Sequence, residues 1–149
     1  MRDFWLFLHL IGVVTWVGGM SFGHHCLRPA VLALPPPQRL ALMADVLGRF
    51  FGHVTASLVL IWVSGIALML QAGLARVPAG WHAMAGIALL MTLIFGVIRL
   101  ARFPRLRAAV ASADWAGAAA ALDGIRMLVA GNLGLGLLTV AVATLGRLA

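Results

Sequence analysis

Four apolar stretches of about 20 residues each dominate the sequence and most constrain its fold. A bilayer with a hydrocarbon core of about 30 Å is crossed by about 20 residues of α-helix. The stretches predict membrane-spanning helices at residues 4–27, 51–72, 81–100 and 128–145. Because 63% of the residues are hydrophobic and only 10% are charged, a water-facing globule is excluded. The predicted fold is therefore all-α, an antiparallel bundle of four transmembrane helices that forms a single integral membrane domain over residues 1–149.

The segments between the predicted spans differ in length. Residues 28–50 and 101–127 each contain apolar residues at helical spacing, which predicts short amphipathic helices in these loops. Pro104 is expected to break the chain after the third span, and Ser112 or Asp114 could cap the helix that leads into the fourth. The connection between the second and third spans has only about eight residues, which predicts a tight hairpin between packed neighbours.

The basic residues are distributed unequally between the two sides of the predicted bundle. All eleven are Arg. Eight lie in or next to the two longer loops (Arg28, Arg39, Arg49, Arg99, Arg102, Arg105, Arg107 and Arg126), and three lie on the opposite side (Arg2, Arg76 and Arg147). Since arginines favour the cytoplasmic side, we expect a protein of the cell inner membrane with cytoplasmic loops at 28–50 and 101–127 and periplasmic termini. The expected partners are the bilayer and its anionic head-groups. A nucleic-acid partner is disfavoured because these arginines do not follow one face with interleaved aromatic residues.

Histidines are the main functional signal, because a polar ring in hydrocarbon needs a partner or a ligand. His9 lies about five residues inside the first span, and His82 opens the third span from the same side. The two can meet and hold either copper or a haem b, for which imidazoles from different helices are suitable ligands. Interfacial or hydrogen-bonded histidines remain the alternative.

A second group of candidate ligands lies at the opposite end of the first span. Met20 and His24 are one helical turn apart, His25 and Cys26 follow directly, and His53 lies at the start of the second span. Thioether, imidazole and thiol are ligand types that suit copper(I). The alternative is that these are ordinary interfacial residues at a helix end.

The first span has one inward-facing stripe at helical spacing, made of His9, Val13, Trp16, Met20 and His24. The stripe indicates either a route between the two groups of candidate ligands or an ordinary packing seam. Other polar and sulfur-containing residues of the spans are interpreted as structural. Asn132 is expected to form an interhelical hydrogen bond, and Met84 and Met91 are expected to fill the core.

Other function classes remain in view. Every Asp lies outside the spans and the chain has no Lys or Tyr, which disfavours acid–base hydrolysis. Whether the protein is an enzyme stays open. A structural or assembly subunit is a further alternative, in which Gly19 and Gly23 permit close approach of another helix, and a homodimer or a periplasmic copper or electron partner is considered with it.

The segments LHLIGVVTWVGGMSF, LRPA, PPPQRLAL, GRFF, HAMAGIALLMTLIF, ARFPRLRAAVASADW and IRMLVAGNLGLGLL resemble the small integral membrane proteins of the copper resistance protein D (CopD) type. The likeness spans nearly the whole chain. It implies a four-helix inner-membrane protein that handles copper, and it places functional weight on His9, Trp16 and His82.

The opening LHLIGVVTWVGGM also resembles HemJ, the four-helix protoporphyrinogen oxidase. That resemblance implies a haem ligand at His9. The lysine that HemJ requires in its third helix has no counterpart, since Met84 or a neighbour stands at that place and the chain contains no Lys.

Overall fold

Four long helices form the fold, as seen in a computed structural model that describes residues 1–74 and 76–145. Helix α1 runs over Arg2–Ala33, α2 over Pro36–Ala72, α3 over Ala79–Ala111 and α4 over Trp115–Leu145. Each is long and apolar enough to cross a bilayer. The predicted all-α fold with four transmembrane helices is confirmed. Arg147, which entered the arginine comparison, lies outside the described residues.

The helices extend well beyond the predicted spans. The amphipathic segment after the prolines at 35–37 is helical, but it is the first part of α2 and not a separate helix, because Pro36 stands in the first turn, where its missing N–H is tolerated. Helix α3 continues through Pro104 to Ala111. A π-helical segment, Ile98–Arg102, ends two residues before this proline, and its wider turn gives the ring room that an α-helix would not.

Helix α4 begins at a side-chain cap, as predicted for Asp114. The carboxylate Oδ1 of Asp114 accepts a hydrogen bond from the backbone N–H of Gly117 at 2.9 Å. Ala113, just before it, has a φ of 56° and turns the chain between α3 and α4. The alanine-rich segment then runs without interruption into the fourth span.

The helices associate as two close antiparallel pairs, α1 with α2 and α3 with α4. Gly12 lets α1 and α2 approach, since a Cβ atom there would stand 3.0 Å from the Ser57 carbonyl oxygen. The tight connection between α2 and α3 is present, with Gly73 ending α2 at a φ of 81°. Along the described residues, however, α2 and α3 are not closely packed near this connection, so that part of the hairpin prediction is wrong.

The bundle has two ends, which we name by their contents. The hairpin half contains the start of α1, the connection from α2 to α3 and the end of α4. The arginine-rich half contains the end of α1, the start of α2, the end of α3 and the start of α4. Most of the fully buried large side chains lie in the arginine-rich half, among them Leu40, Phe51, Ile98, Leu106, Leu122 and Ile125.

Candidate functional site

A cavity of about 330 Å³ lies between the four helices in the hairpin half. Its wall is mainly aliphatic. The lining residues with polar or sulfur-containing side chains are Arg2, His9, Trp16, Trp62, Met69, Trp81, Met84, Met91, Thr139 and Thr144. A concave apolar site with a few converging polar groups is typical of a binding site.

His9 is half-buried at the wall of this cavity and is fixed to α2. Its Nδ1 lies 3.2 Å from the Ile61 carbonyl oxygen and 3.1 Å from Ser64 Oγ. The carbonyl can only accept, and the Ser64 hydroxyl already donates to the Leu60 carbonyl oxygen. Nδ1 must therefore carry the proton, and a neutral ring then has its lone pair on Nε2.

Gly65 permits this position of the imidazole ring. A Cβ atom at residue 65 would stand 3.3 Å from His9 Cε1 and 3.5 Å from His9 Nδ1. The ring thus packs directly against the α2 backbone one residue after Ser64, which is fully buried. Sequence on α2 as well as on α1 therefore determines the orientation of His9.

The other histidine of the predicted outer pair is placed differently. His82 is exposed and does not line the cavity, whereas its neighbour Trp81 does. Successive residues of a helix point about 100° apart, and on α3 this rotation turns Trp81 toward the cavity and His82 away from it. The described residues do not bring His9 and His82 to one cavity, and a joint site stays a prediction.

The inward stripe of α1 has the predicted orientation for most of its length. Val13 and Trp16 line the cavity together with His9, and Met20 is buried deeper in the bundle. Trp16 belongs to a π-helical segment, Val14–Gly18, a deviation that often occurs at functional sites. Of the two glycines expected to permit close approach, Gly19 packs against the Phe50 ring, whereas Gly23 has no neighbour at its Cβ position.

The second predicted group of ligands lies near the arginine-rich end without forming a compact set. His24 is half-buried and contacts the exposed His25, with ring centroids 4.9 Å apart. Cys26 is exposed, and the exposed His53 has its Nδ1 2.9 Å from the Arg49 carbonyl oxygen. Among residues 1–74 and 76–145, no three His, Cys, Asp or Glu side chains are grouped as a metal site would require.

Below the cavity, four aromatic rings close the bundle, and we call them the aromatic plug: Trp16, Phe51, Phe95 and Phe103. The rings contact one another edge-on in sequence. The distances between ring centroids are 6.4 Å from Trp16 to Phe95, 5.6 Å from Phe95 to Phe51 and 5.1 Å from Phe51 to Phe103. All four side chains are buried. Trp16 lines the cavity, and the other three rings continue from it toward the arginine-rich end.

Asn132 bridges α4 and α3 as predicted, with Nδ2 donating to the Met91 carbonyl oxygen at 3.3 Å. The Met91 side chain itself lines the cavity and is 3% exposed. Thr139 Oγ1 lies 3.9 Å from Met91 Sδ. The Met91 thioether is therefore held in place at the inner end of the cavity.

Sequence reasoning missed the methionines of the cavity. It does not single out Met69, and it assigns Met84 and Met91 to the core. Met91 is buried in the core as predicted, but all three methionines also line the cavity that contains His9. The seven-residue spacing of Met84 and Met91, two helical turns on one face, was the available signal.

Comparison with known proteins gives one finding and two negative results. A family profile described as "Copper resistance protein D" matches residues 44–145, which is more than half of the chain. The match begins within α2, so His9 lies before the matched residues. No curated protein and no solved structure matches the chain. The likeness to HemJ is not shown by these comparisons and stays a prediction.

Proposed function

Because the chain belongs to the copper resistance protein D family, we propose that it binds copper in the cavity beside His9 as a step in copper handling by the membrane. Membership of the family connects this multi-pass membrane protein with copper resistance. The proposal adds the place where the metal binds and the residue that holds it.

The orientation of the His9 ring carries the proposal. Histidines that bind metals usually donate their other ring N–H to a carbonyl or a similar acceptor, which fixes the tautomer and the direction of the ring. His9 has this arrangement, with Nδ1 between the Ile61 carbonyl oxygen and Ser64 Oγ. Nε2 is the nitrogen left with a lone pair for copper.

We propose that copper reaches this cavity from the periplasmic side. The arginine distribution supports an orientation in which the arginine-rich end faces the cytoplasm, and the cavity lies in the other half of the bundle. Arg2 and Trp81 line the cavity near the ends of their helices, which marks this as its outer part.

Passage toward the cytoplasm would need movement of the aromatic plug. Trp16 lines the cavity and also contacts Phe95 of the plug, while Met20 and His24 continue the stripe of α1 beyond it. We propose that these residues, with His25, Cys26 and His53, receive copper only when the plug opens. His82 is proposed as an exposed residue at the outer end that copper meets before the cavity.

The test is the copper content of protein purified in detergent. His9→Ala should lower copper affinity by about 100-fold or more, since even loss of an outer partner of a metal ligand costs about 10–100-fold. Thr55→Ala is the control, because Thr55 lies outside the cavity and its hydroxyl donates to the Phe51 carbonyl oxygen of the same helix, so this change should leave copper binding unchanged. Unchanged copper binding by His9→Ala would overturn the proposal.

The same preparation tests the alternatives. An absorption spectrum after expression with ample haem should lack a Soret band, and a band that disappears in His9→Ala would replace copper by haem b at this ligand. Wild-type protein that contains neither copper nor haem, and that does not alter cellular copper tolerance, would favour the structural or assembly subunit.

A further inference from the structure

We infer that the cavity selects the monovalent copper(I) ion and that Met91, with Met69 and Met84, determines this selectivity. The inference rests on the proposed function, since it concerns the same cavity, but it makes a separate claim about the oxidation state and the ligands. It includes no redox step, so copper must arrive already reduced.

The donor atoms of the cavity are soft. Three thioethers line it, from Met69 on α2 and from Met84 and Met91 on α3, together with the imidazole of His9. Among the described lining residues there is no Asp or Glu. Thioether and imidazole suit copper(I), whereas hard divalent cations prefer carboxylate and other oxygen ligands.

The electrostatic properties of the cavity also favour binding of a monovalent over a divalent ion. The Born cost of moving an ion out of water rises with the square of its charge, so a divalent ion loses about four times as much hydration free energy as a monovalent ion of the same radius. A largely aliphatic wall without a carboxylate offers little compensation, and the Arg2 guanidinium lines the same cavity. A divalent ion would be bound poorly here.

The relative depths of the ligands follow from one hydrogen bond between α2 and α3. Trp62 Nε1 donates to Thr92 Oγ1 at 3.2 Å, which places residues 62 and 92 at one level of two antiparallel helices. At a rise of about 1.5 Å per residue, Met69 and Met84 then lie about 10 Å and about 12 Å from that level toward the hairpin end. These two thioethers form an outer pair.

His9 and Met91 lie deeper, near the floor. His9 contacts Ile61, Ser64 and Gly65 of α2, within about 5 Å of the level of Trp62 along the helix axis, and Met91 immediately precedes Thr92. Met91 is also the most buried of the three cavity methionines. Copper(I) should therefore meet Met69 and Met84 first and bind most tightly in the deeper part of the cavity, which His9 and Met91 line.

The competing explanation is that the methionines only fill space. Methionine is a flexible apolar side chain that commonly fills irregular gaps, and Met43, which is buried in the arginine-rich half, has that role. Leucine has a similar volume and is well tolerated at methionine positions, but it has no sulfur. Methionine-to-leucine substitutions therefore separate ligation from packing.

The experiment measures binding of silver(I), a soft monovalent probe that is not reduced or oxidised here, and of copper(I) kept reduced, to the full chain in detergent. Wild-type protein should bind both ions at least about tenfold more tightly than copper(II) or zinc(II). Met91→Leu should weaken silver(I) and copper(I) binding about tenfold or more, and the Met69→Leu, Met84→Leu double variant should slow uptake. Met43→Leu is the matched control and should equal wild type.

X-ray absorption at the copper edge supplies a second readout. Bound copper(I) should show sulfur neighbours in wild type that are lost in Met91→Leu. If copper binding depends on His9 but is insensitive to all three methionine substitutions and shows no sulfur neighbour, the inference is overturned while the proposed function stands. If wild-type protein binds no copper in either oxidation state, the proposed function itself fails. Equal affinity for copper(I) and copper(II) also contradicts the inference.

Discussion

The two halves of the bundle use the same four helices in opposite ways. In the hairpin half, the pair α1–α2 and the pair α3–α4 enclose a cavity of about 330 Å³ lined by an imidazole and three thioethers. In the arginine-rich half, the same pairs close on the aromatic plug and on fully buried aliphatic side chains such as Leu106 and Ile125. The difference indicates that one half maintains the structure while the other is free to bind a ligand.

Side-chain size and position account for much of this contrast. Phe51 from α2 fits between Phe95 and Phe103 of α3 and joins the two helix pairs. In the other half, small residues such as Gly65, Ala85 and Gly136 line the space between them. A side-chain hydrogen bond between α2 and α3, from Trp62 to Thr92, lies near the boundary of the two halves.

The largest effect on the free energy of unfolding should come from truncating a buried side chain in the tightly packed, arginine-rich half. Phe51→Ala removes a ring that is 1% exposed, and such a change typically costs about 3–5 kcal/mol in the free energy of unfolding. Ile66→Ala lies on the same helix at the cavity wall, where the side chain is 51% exposed, and should cost only about 1 kcal/mol. Denaturant unfolding in detergent measures both, and equal losses would contradict the division into two halves.

The next effect concerns copper affinity at the site proposed in the hairpin half. Ser64→Ala removes one of the two acceptors that orient His9, and loss of such a partner should lower copper affinity about 10–100-fold. Ser57→Ala is the matched control, because Ser57 is a buried serine of the same helix whose hydroxyl donates only within the helix, to the His53 carbonyl oxygen at 2.9 Å. Equilibrium copper titration of the two variants measures the difference. A larger loss in Ser57→Ala would show that the effect is not specific to His9.

A smaller loss of copper affinity should follow from a substitution that crowds the His9 imidazole. Gly65→Ala places a Cβ atom 3.3 Å from His9 Cε1, so the ring must shift by a few tenths of an ångström, and copper affinity should fall about tenfold. Gly86→Ala on α3 adds a methyl group where no atom lies within 4 Å and should leave copper binding unchanged. Copper titration again serves as the measurement, and full affinity in Gly65→Ala would show that the close contact does not orient His9.

The smallest effect should be confined to the arginine-rich half. Asp114→Ala removes the cap at the start of α4, which should cost about 1 kcal/mol of unfolding free energy without changing copper affinity. Unfolding and copper titration on one preparation check both statements. A change in copper affinity would mean that the two halves are coupled through α4.

The number and identity of the spans could be predicted because bilayer thickness and hydropathy depend on each segment alone. The ends of the helices could not be predicted in this way. Pro36 is accommodated in the first turn of α2 and Pro104 after a π-helical segment of α3, and these features are seen only in the complete helices. The predicted packing of α2 against α3 is absent near their connection, because a short connection fixes only where two helices begin to diverge. The two helices make contact farther along, at Phe51, Phe95 and Phe103.

The candidate site was predictable only in part, for a related reason. His9 stands out within its own helix as a polar ring among apolar residues. The choice between Trp81 and His82 as the inward residue depends on the rotation of α3, and the similar depth of Met69 and Met84 in the cavity depends on the register of α2 against α3. Neither the rotation nor the register of a helix can be read from the periodicity of one segment. The ligand roles predicted for Met20, His24, His25, Cys26 and His53 remain predictions.

The aromatic plug has a thermodynamic consequence for a copper-binding protein. If copper binds in the cavity as proposed and the four rings block its passage, an ion there exchanges with one side of the membrane only, and the occupied fraction of the protein follows the metal activity on that side. Net flux would then be limited by the frequency with which Trp16 and Phe95 separate, and not by affinity. Strong binding and slow leakage can therefore coexist in the same chain.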